Sequence, residues 1–128
     1  MRKMLSVVAV LAGLLASVDS YSHHSFSAEF DVGSPVNLAG AVKRFEWTNP
    51  HAWLHMEVAD NQGKVQLWAV ELLGVNALAR NGMSAKTVKP GDKLTVIGYR
   101  ARNGTNTANA SSVNRTDTGE ILWKAGAN

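Results

Sequence analysis

The sequence predicts a mainly β domain, and three observations carry this prediction. Short stretches that alternate apolar and polar residues recur along the chain, as they do in half-buried strands. Gly40 interrupts the first of these stretches, and a single stretch with helical spacing lies between the third and the fourth. Three strands, a short helix and two or more further strands match a small OB-like Greek-key barrel with one short helix between strands 3 and 4. A lipocalin-like or sandwich arrangement is the alternative that counting strands leaves open.

The first three strands are predicted from two adjacent stretches. The run VNLAGAVKRFEW, residues 36–47, alternates in polarity, and Gly40 within it indicates a bulge or a sharp bend. Pro50 in TNP ends this strand because proline has no N–H. Residues 51–71 predict a hairpin that turns at 60–63. In a register with Ala59 opposite Lys64, the core face holds Leu54, Met56, Val58, Val65, Leu67 and Ala69, and the opposite face holds His51, Trp53, His55, Glu57, Gln66, Trp68 and Val70, with His55 across from Trp68.

The remaining elements follow from spacing and turn residues. Apolar residues near helical spacing in 72–83 predict one short helix that stops at Gly82. The turn KPGD precedes a predicted strand over 93–101. The polar run RNGTNTANAS, residues 102–111, predicts a loop, and a last strand pair over 111–123 turns at 117–119.

A leader is expected before this domain. Arg2 and Lys3 precede an apolar run from Met4 to Val18, and small residues follow it, which is the three-part pattern of a secretory signal peptide. The run is shorter than the roughly 20 residues that a bilayer core requires, so a cleaved signal is favoured over a membrane anchor. We predict a signal peptide over residues 1–22, an N-terminal arm over 23–35 and an OB-like domain over 36–128, in an exported protein that is periplasmic or secreted and has no membrane association after cleavage.

The composition narrows the possible partners. The 128 residues include no cysteine, so neither a disulfide nor a thiolate metal ligand is available. The formal net charge is +3, without the clustered basic face that nucleic-acid binding requires, so no nucleic-acid partner is expected. The chain also lacks a nucleophile-elbow motif, a phosphate-binding glycine loop and a dinucleotide fingerprint. These features favour a binding protein, for a metal ion or a small ligand, over an enzyme.

Four motifs, HHSFSAEFD, EWTNPHAWLHMEVAD, LWAVE and KPGDKLTVIGY, together resemble a family of small exported bacterial proteins defined by a domain of unknown function. That family opens with His-His-Ser-Phe and carries a Trp-Thr/Ser-Asn-Pro-His stretch. The resemblance covers most of residues 23–100. It implies export and a small β-rich domain, and it brings no activity, so function is argued from the residues themselves.

The four histidines are the candidate metal ligands. They lie in two places, His23 with His24 and His51 with His55, and imidazole in a cysteine-free protein suits copper, zinc or nickel. Residues four apart on a strand are separated by roughly 13 Å, so His51 and His55 are not expected to share one metal. His51 is the favoured partner of the N-terminal pair because Pro50 puts it at a strand end. The competing interpretation is that adjacent histidines after a leader are solvated polar residues.

Either of two cleavage sites gives a terminus that suits copper. A cut after Ser22 makes His23 the N-terminus, whose amine and imidazole chelate one Cu(II). A cut after Ser20 leaves a histidine in third position, which binds Cu(II) or Ni(II) in a square plane with backbone nitrogens. The main hypothesis is a protein that binds copper(II) or another divalent metal, with His23 as anchor, His24 and His51 as co-ligands and His55 as a further candidate. An oxidative enzyme built on a single copper is the catalytic alternative.

A metal-free alternative uses the tryptophans. On the predicted register Trp53, His55 and Trp68 share a face, with Trp47 nearby, and such a face stacks a small molecule, a sugar or a protein segment. Glu71 has three interpretations: a buried functional acid, a partner that orients a histidine, or a sign that its strand ends earlier. The last is preferred because burying an unpaired charge is costly.

Overall fold

The structure, a computed structural model, describes residues 26–126. Its elements are α1 (Phe26–Glu29), β1 (Phe30–Glu46), β2 (Trp53–Ala59), β3 (Val65–Glu71), α2 (Val75–Arg80), β4 (Lys93–Ala101), β5 (Thr107–Arg115) and β6 (Ile121–Lys124). The mainly β prediction, with one short helix between the third and fourth strands, is confirmed. Within this range no helix has the length and apolar character to cross a membrane. The predicted signal peptide lies outside the described residues.

The described strands belong to one sheet in the order β3-β2-β1-β4-β5-β6, and β3 also pairs with β5. That additional pairing is parallel and joins the end of β3 to the start of β5. Following the pairs from β1 through β2, β3, β5 and β4 leads back to β1. This arrangement, with α2 between β3 and β4, is OB-like and differs from the up-and-down order of a lipocalin.

The first strand starts earlier than its alternation predicts. β1 begins at Phe30 rather than at Val36, because Phe30 already pairs with β4. Pairing then pauses until Pro35, and in the gap Asp31 closes a local turn by accepting the Gly33 N–H at 2.9 Å. The predicted boundary between the arm and the domain, at residue 35, therefore lies within β1.

Gly40 allows β1 and β2 to approach closely. It pairs with Val58, and a Cβ at this position would lie 2.1 Å from the Glu57 carbonyl oxygen. The irregularity predicted from this glycine occurs a little further along, where the β1–β2 register shifts between Val42 and Arg44. The glycine itself is required by the close approach of the neighbouring backbone.

The β2–β3 hairpin forms one residue out of the predicted register. Ala59 pairs with Val65 rather than with Lys64. Lys64 belongs to the loop because the Asp60 N–H donates to the Lys64 carbonyl oxygen at 2.8 Å, while Asp60 Oδ1 accepts two backbone N–H groups within the loop. These hydrogen bonds close the loop over residues 60–64 and favour the observed register.

This difference reverses the predicted faces of β3 and leaves those of β2 unchanged. The apolar residues predicted for the core on β2 are buried. On β3, Val65 and Leu67 are 61% and 52% exposed, whereas Val70 is buried and Trp68 packs against the core. The prediction for β3 is wrong because strand side chains alternate with a period of two, so a slip of one residue exchanges the faces.

The second half of the domain follows the prediction except in one loop. β4 has the predicted bounds, and α2 is followed by Gly82 in a left-handed conformation. The loop after β4 is shorter than predicted, since β5 begins at Thr107. Arg100 holds this loop by donating to the carbonyl oxygens of Thr105 and Gly104 at 3.0 and 2.9 Å. The predicted final turn is confirmed, with Gly119 at φ 72°.

The core gathers side chains from β1 to β6 and from α2. Met56 and Met83 are among its members, with 0% and 4% of their surface exposed, so neither is available as a surface metal ligand. The fully buried larger side chains are Leu54, Met56, Val70, Leu78, Leu94, Val96 and Val113.

Candidate functional site

His51 lies just before β2, where both neighbours in sequence restrain its backbone. Pro50 precedes it. Ala52 follows it and forms two backbone hydrogen bonds, donating to Leu73 O at 3.0 Å and accepting from the Leu72 N–H at 2.9 Å. The His51 side chain is 40% exposed. The backbone next to His51 is thus held at the start of β2, and the His51 ring remains accessible.

The Glu71 carboxylate holds one nitrogen of this ring. Glu71 Oε1 lies 2.7 Å from His51 Nδ1, and the glutamate side chain is only 9% exposed. Burial raises the pKa of Glu71, the neighbouring His51 opposes that rise, and Glu29 adds to it. The preferred interpretation that the strand ends before Glu71 is wrong, because β3 continues to this residue.

The contact with Glu71 determines what the other nitrogen of the ring can do. A carboxylate only accepts hydrogen bonds, so the neutral His51 ring with its proton on Nδ1 keeps a lone pair on Nε2. Histidines that bind metals usually donate their second nitrogen to a carboxylate or carbonyl, which fixes the tautomer and the ring orientation. His51 has the part of this arrangement that the protein supplies, because its Nδ1 is held by the Glu71 carboxylate.

His55 belongs to a different cluster. It lies on the outer face of β2, opposite Ala69. Its Nε2 is 3.3 Å from Glu46 Oε1 and 3.2 Å from Arg44 Nη2, and Glu46 and Arg44 also form an ion pair with each other. The expectation that His51 and His55 do not share one metal agrees with these separate partners. Among residues 26–126, no group of three or more His, Cys, Asp or Glu side chains is arranged to hold a metal ion.

The predicted tryptophan face does not form. Trp68 is opposite Met56 and packs against the core, with the Arg100 guanidinium 5.2 Å from its ring centroid. Trp53 lies on the other face of the hairpin, opposite Glu71. The prediction that Trp53, His55 and Trp68 share one face is therefore wrong, because the one-residue difference in register turns Trp68 to the core face.

Trp47 is also separate from this set. It packs edge-to-face on Phe45, with ring centroids 5.8 Å apart, and covers part of the core.

An open cleft lies beside Glu71. It encloses about 640 Å³ between α1, the start of β1, the β2–β3 hairpin and the loop after β4. Trp53, Glu29 and Arg102 contribute its larger side chains. Sequence reasoning did not place Glu29 or Arg102 at this cleft, because their elements meet only in the folded chain.

The segment α1 places the described N-terminal end next to this site. Phe26 stacks on Phe30 with ring centroids 5.6 Å apart and meets Tyr99 edge-on at 6.0 Å. Phe26 also lines a groove with Leu73. The Leu73 carbonyl oxygen accepts the backbone N–H of Ala52, the residue that follows His51. The predicted ligands His23 and His24 lie outside the described residues, immediately before α1 in sequence.

Comparisons with known proteins give a family and a distant structural likeness. A family of unknown function, DUF6152, matches residues 11–110, which confirms the predicted resemblance to a family defined by a domain of unknown function. No curated protein matches the chain. Among solved structures, the chain is similar to the mitochondrial single-stranded DNA binding protein Rim1 from S. cerevisiae, with a TM-score of 0.49 and 11% identity over 72% of this chain and 96% of that chain. The absence of a nucleic-acid partner stays a prediction.

Proposed function

This chain belongs to the DUF6152 family of unknown function, so we propose its function from the geometry of the site. We propose an exported protein, periplasmic or secreted, that binds a divalent metal ion, copper(II) first and otherwise zinc or nickel. His51 supplies a ligand from the folded domain, and His23 with His24 supplies the ligands of the N-terminal segment. The role is capture or carriage of the ion.

The hydrogen-bonded pair His51–Glu71 carries this proposal. At 2.7 Å, the largely buried carboxylate orients an imidazole that is itself 40% exposed. A histidine with no role beyond solubility needs no such partner, and placing a carboxylate in a buried position opposes its ionisation. A fixed ring with a free Nε2 is what a metal ion requires of a protein ligand.

The chain path supports the use of the N-terminal histidines. His24 precedes Phe26 by two positions in the sequence. Phe26 shares a groove with Leu73, and Leu73 O accepts the N–H of the residue that follows His51. This docking of α1 supports the proposal that the N-terminal histidines act together with His51.

The available donor atoms favour copper(II) over copper(I). The chain has no cysteine, and the methionines of residues 26–126 are in the core. Soft sulfur ligands select copper(I), whereas imidazole and amine nitrogens suit copper(II), zinc and nickel. We therefore expect retention of the oxidised ion.

Copper(II) affinity, measured by competition with a chelator, tests the proposal on protein recovered from the exported fraction. Native mass spectrometry of the same sample establishes the mature N-terminus and any bound metal. His51→Ala should weaken copper(II) binding at least about tenfold, and Glu71→Gln should weaken it by about 10- to 100-fold, the usual effect of losing a carboxylate that orients a ligand. His55→Ala is the matched control, since His55 is paired with Glu46 instead.

The outcomes separate clearly. Loss of affinity in the His51 and Glu71 variants with an unchanged His55 variant supports the proposal. An uncleaved leader, a wild-type protein that stays metal-free after copper addition, or equal effects of the two histidine substitutions would contradict it.

The cleft beside Trp53 favours a second candidate function, which is metal-free binding of a sugar or another small molecule. Its volume of about 640 Å³ and the partly exposed indole ring suit a ligand of that size. In this case Trp53→Ala should abolish ligand retention and a chelator should leave it unchanged. Loss of retention on chelation would reject this candidate.

A further inference from the structure

Arg100, near the end of β4, has a guanidinium group that is held in place without an ion pair. Its Nε donates to Thr105 O at 3.0 Å, and its Nη2 donates to Gly104 O at 2.9 Å and to Asn106 Oδ1 at 3.0 Å. The group also lies over Trp68, 5.2 Å from the ring centroid. Within the described part of the chain, Nη1 has no hydrogen-bond partner and no carboxylate lies within ion-pair distance of the guanidinium. Arg100 thus offers a fixed positive charge with unused N–H groups.

Two amide side chains connect Arg100 to a carboxylate. Asn106 Oδ1 accepts from Arg100, and Asn106 Nδ2 donates to Gln66 Oε1 at 3.1 Å. Gln66 Nε2 in turn lies 3.4 Å from Asp60 Oδ2, to which it donates. All of these bonds run in the same direction, from the cation to the anion, so they polarise one another. The result is a polar row with a positive end at Arg100 and a negative end at Asp60.

The negative end of the polar row is fixed by the β2–β3 loop. Asp60 Oδ1 accepts the backbone N–H groups of Lys64 and Gln62, both at 2.9 Å. These two bonds lower the pKa of Asp60, so its carboxylate is ionised at neutral pH. The Asp60 side chain is exposed and remains accessible to a ligand.

The polar row lines an open cavity of about 300 Å³. Apolar side chains complete much of the lining, and Trp68 is the largest of them; the others are Leu38, Val58 and Ala59. A volume at the lower end of the range for ligand pockets suits a small molecule. No residue of this cavity lines the cleft beside Glu71, so the two sites are separate.

The chemistry of the lining selects the class of ligand. A ligand with a single charge would meet only one end of the polar row, and a neutral sugar would meet neither charge with its opposite. A short peptide with free termini offers a carboxylate for Arg100 and an ammonium for Asp60. Its peptide bond offers a further donor and acceptor, which match the hydrogen-bonding capacity that the Gln66 and Asn106 amides have left.

We propose that this cavity is a binding site for a zwitterionic dipeptide. The peptide carboxylate binds Arg100 Nη1, its ammonium binds Asp60, and an apolar side chain packs against Trp68. This inference goes beyond metal binding and does not rest on it, because the cavity uses neither His51 nor Glu71.

The dipeptide Ala-Leu is the probe, titrated into the mature protein. NMR of the Trp68 indole N–H, assigned with Trp68→Phe, reports binding, and EDTA in the buffer prevents the peptide from binding a metal ion. We expect a saturable shift of this signal. Ala-Leu amide, which lacks the carboxylate, and N-acetyl-Ala-Leu, which lacks the ammonium, should each bind at least about tenfold more weakly, because each loses a hydrogen bond between charged groups.

Two substitutions assign each terminus to its partner. Arg100→Gln should weaken Ala-Leu binding to about the level of Ala-Leu amide and should abolish the preference for a free carboxylate. Asp60→Asn should abolish the preference for a free ammonium. The asparagine keeps an oxygen that can accept the N–H groups of the loop, so the hairpin can still close.

Matched controls remove the same charges outside the cavity. Arg80→Gln changes another exposed arginine, at the end of α2. Asp31→Asn changes another aspartate that accepts a local backbone N–H, from Gly33. Neither residue lines the cavity, so both variants should bind Ala-Leu within about twofold of wild type.

The outcomes decide the proposal. A preference for both free termini, of which Arg100→Gln and Asp60→Asn each remove their own part, supports it. Absence of a saturable shift, equal affinity for Ala-Leu and its two capped forms, or tighter binding of methyl glucoside than of Ala-Leu would overturn it. The capped peptides test the two charges on unaltered protein, so the comparison stands even where a variant fails to fold.

Discussion

Alanine in place of Gly40 measures how closely β1 and β2 must approach each other. The added Cβ would lie 2.1 Å from the Glu57 carbonyl oxygen and 2.9 Å from its carbonyl carbon. Ordinary contacts of a Cβ begin at 3.4 Å, so the strands would have to part by more than an ångström at this point. The obstructing atoms belong to backbone and cannot rotate away as the end of a side chain does.

The cost follows from what separation of the strands removes. Losing two or three ladder hydrogen bonds around Gly40, at about 1 kcal/mol each, and disturbing the packing of the buried neighbours Leu38 and Val42, at about 1 kcal/mol, gives about 3 to 4 kcal/mol. The total stability of a domain is about 5 to 15 kcal/mol. The corresponding fall in Tm is roughly 12 to 30 °C for a domain of this size.

Urea unfolding followed by tryptophan fluorescence, together with calorimetry, measures this difference. Gly33→Ala is the matched control in the same strand, because its Cβ would meet only the Asp31 side chain, at 3.2 Å. We expect that control to stay within about 0.5 kcal/mol of wild type. If Gly40→Ala were no less stable than Gly33→Ala, the close pairing of β1 with β2 would be refuted.

Asp92→Asn should lower stability at neutral pH and flatten its acid dependence. Burial raises the pKa of Asp92, but hydrogen bonds to the carboxylate outweigh burial and hold its pKa below 3.8. The stability that this carboxylate gives the wild-type protein is therefore present above pH 3.8 and is lost as the pH falls through the lower folded pKa. Parallel pH profiles of unfolding for the wild type and Asp92→Asn would contradict this. Trp68→Ala should lower the free energy of unfolding by about 3 kcal/mol, because the ring packs on the core. Trp53→Ala, at an open cleft, should lower it by less when both variants are unfolded in urea. The reverse order would favour the register predicted from the sequence over the observed one. Asn49→Ala should cost about 1 kcal/mol, because Asn49 Oδ1 accepts the first N–H of α2 at 3.2 Å, and an unchanged Tm would remove that capping role.

The elements that depend on local chemistry were predictable. β4, α2 and the final turn at Gly119 follow from alternation, helical spacing and left-handed glycine, each of which acts within a few residues. The buried face of β2 followed from the same alternation. His51 was selected for a local reason as well, since Pro50 puts it at a strand end.

Two features were not predictable from alternation alone. The register of β3 was missed because the Asp60 side chain takes Lys64 into the loop, and alternation alone does not report this. The predicted loop over 102–111 gave way to β5 because the start of β5 pairs with β3, from an earlier part of the chain. The first feature depends on a side-chain bond within the loop, and the second requires knowing which strand lies alongside.

By itself the sequence determined a mainly β, OB-like order of elements, the resemblance to its family and the choice of the histidines as candidate ligands. The tertiary structure alone decided that Glu71 meets His51, that Trp68 turns inward, and that Arg102 reaches Ser27 across 75 positions of chain. The physical reason is one of range. Periodicity and turn chemistry act between near neighbours in the chain, whereas hydrogen bonds and burial form between whichever residues the fold brings within a few ångströms.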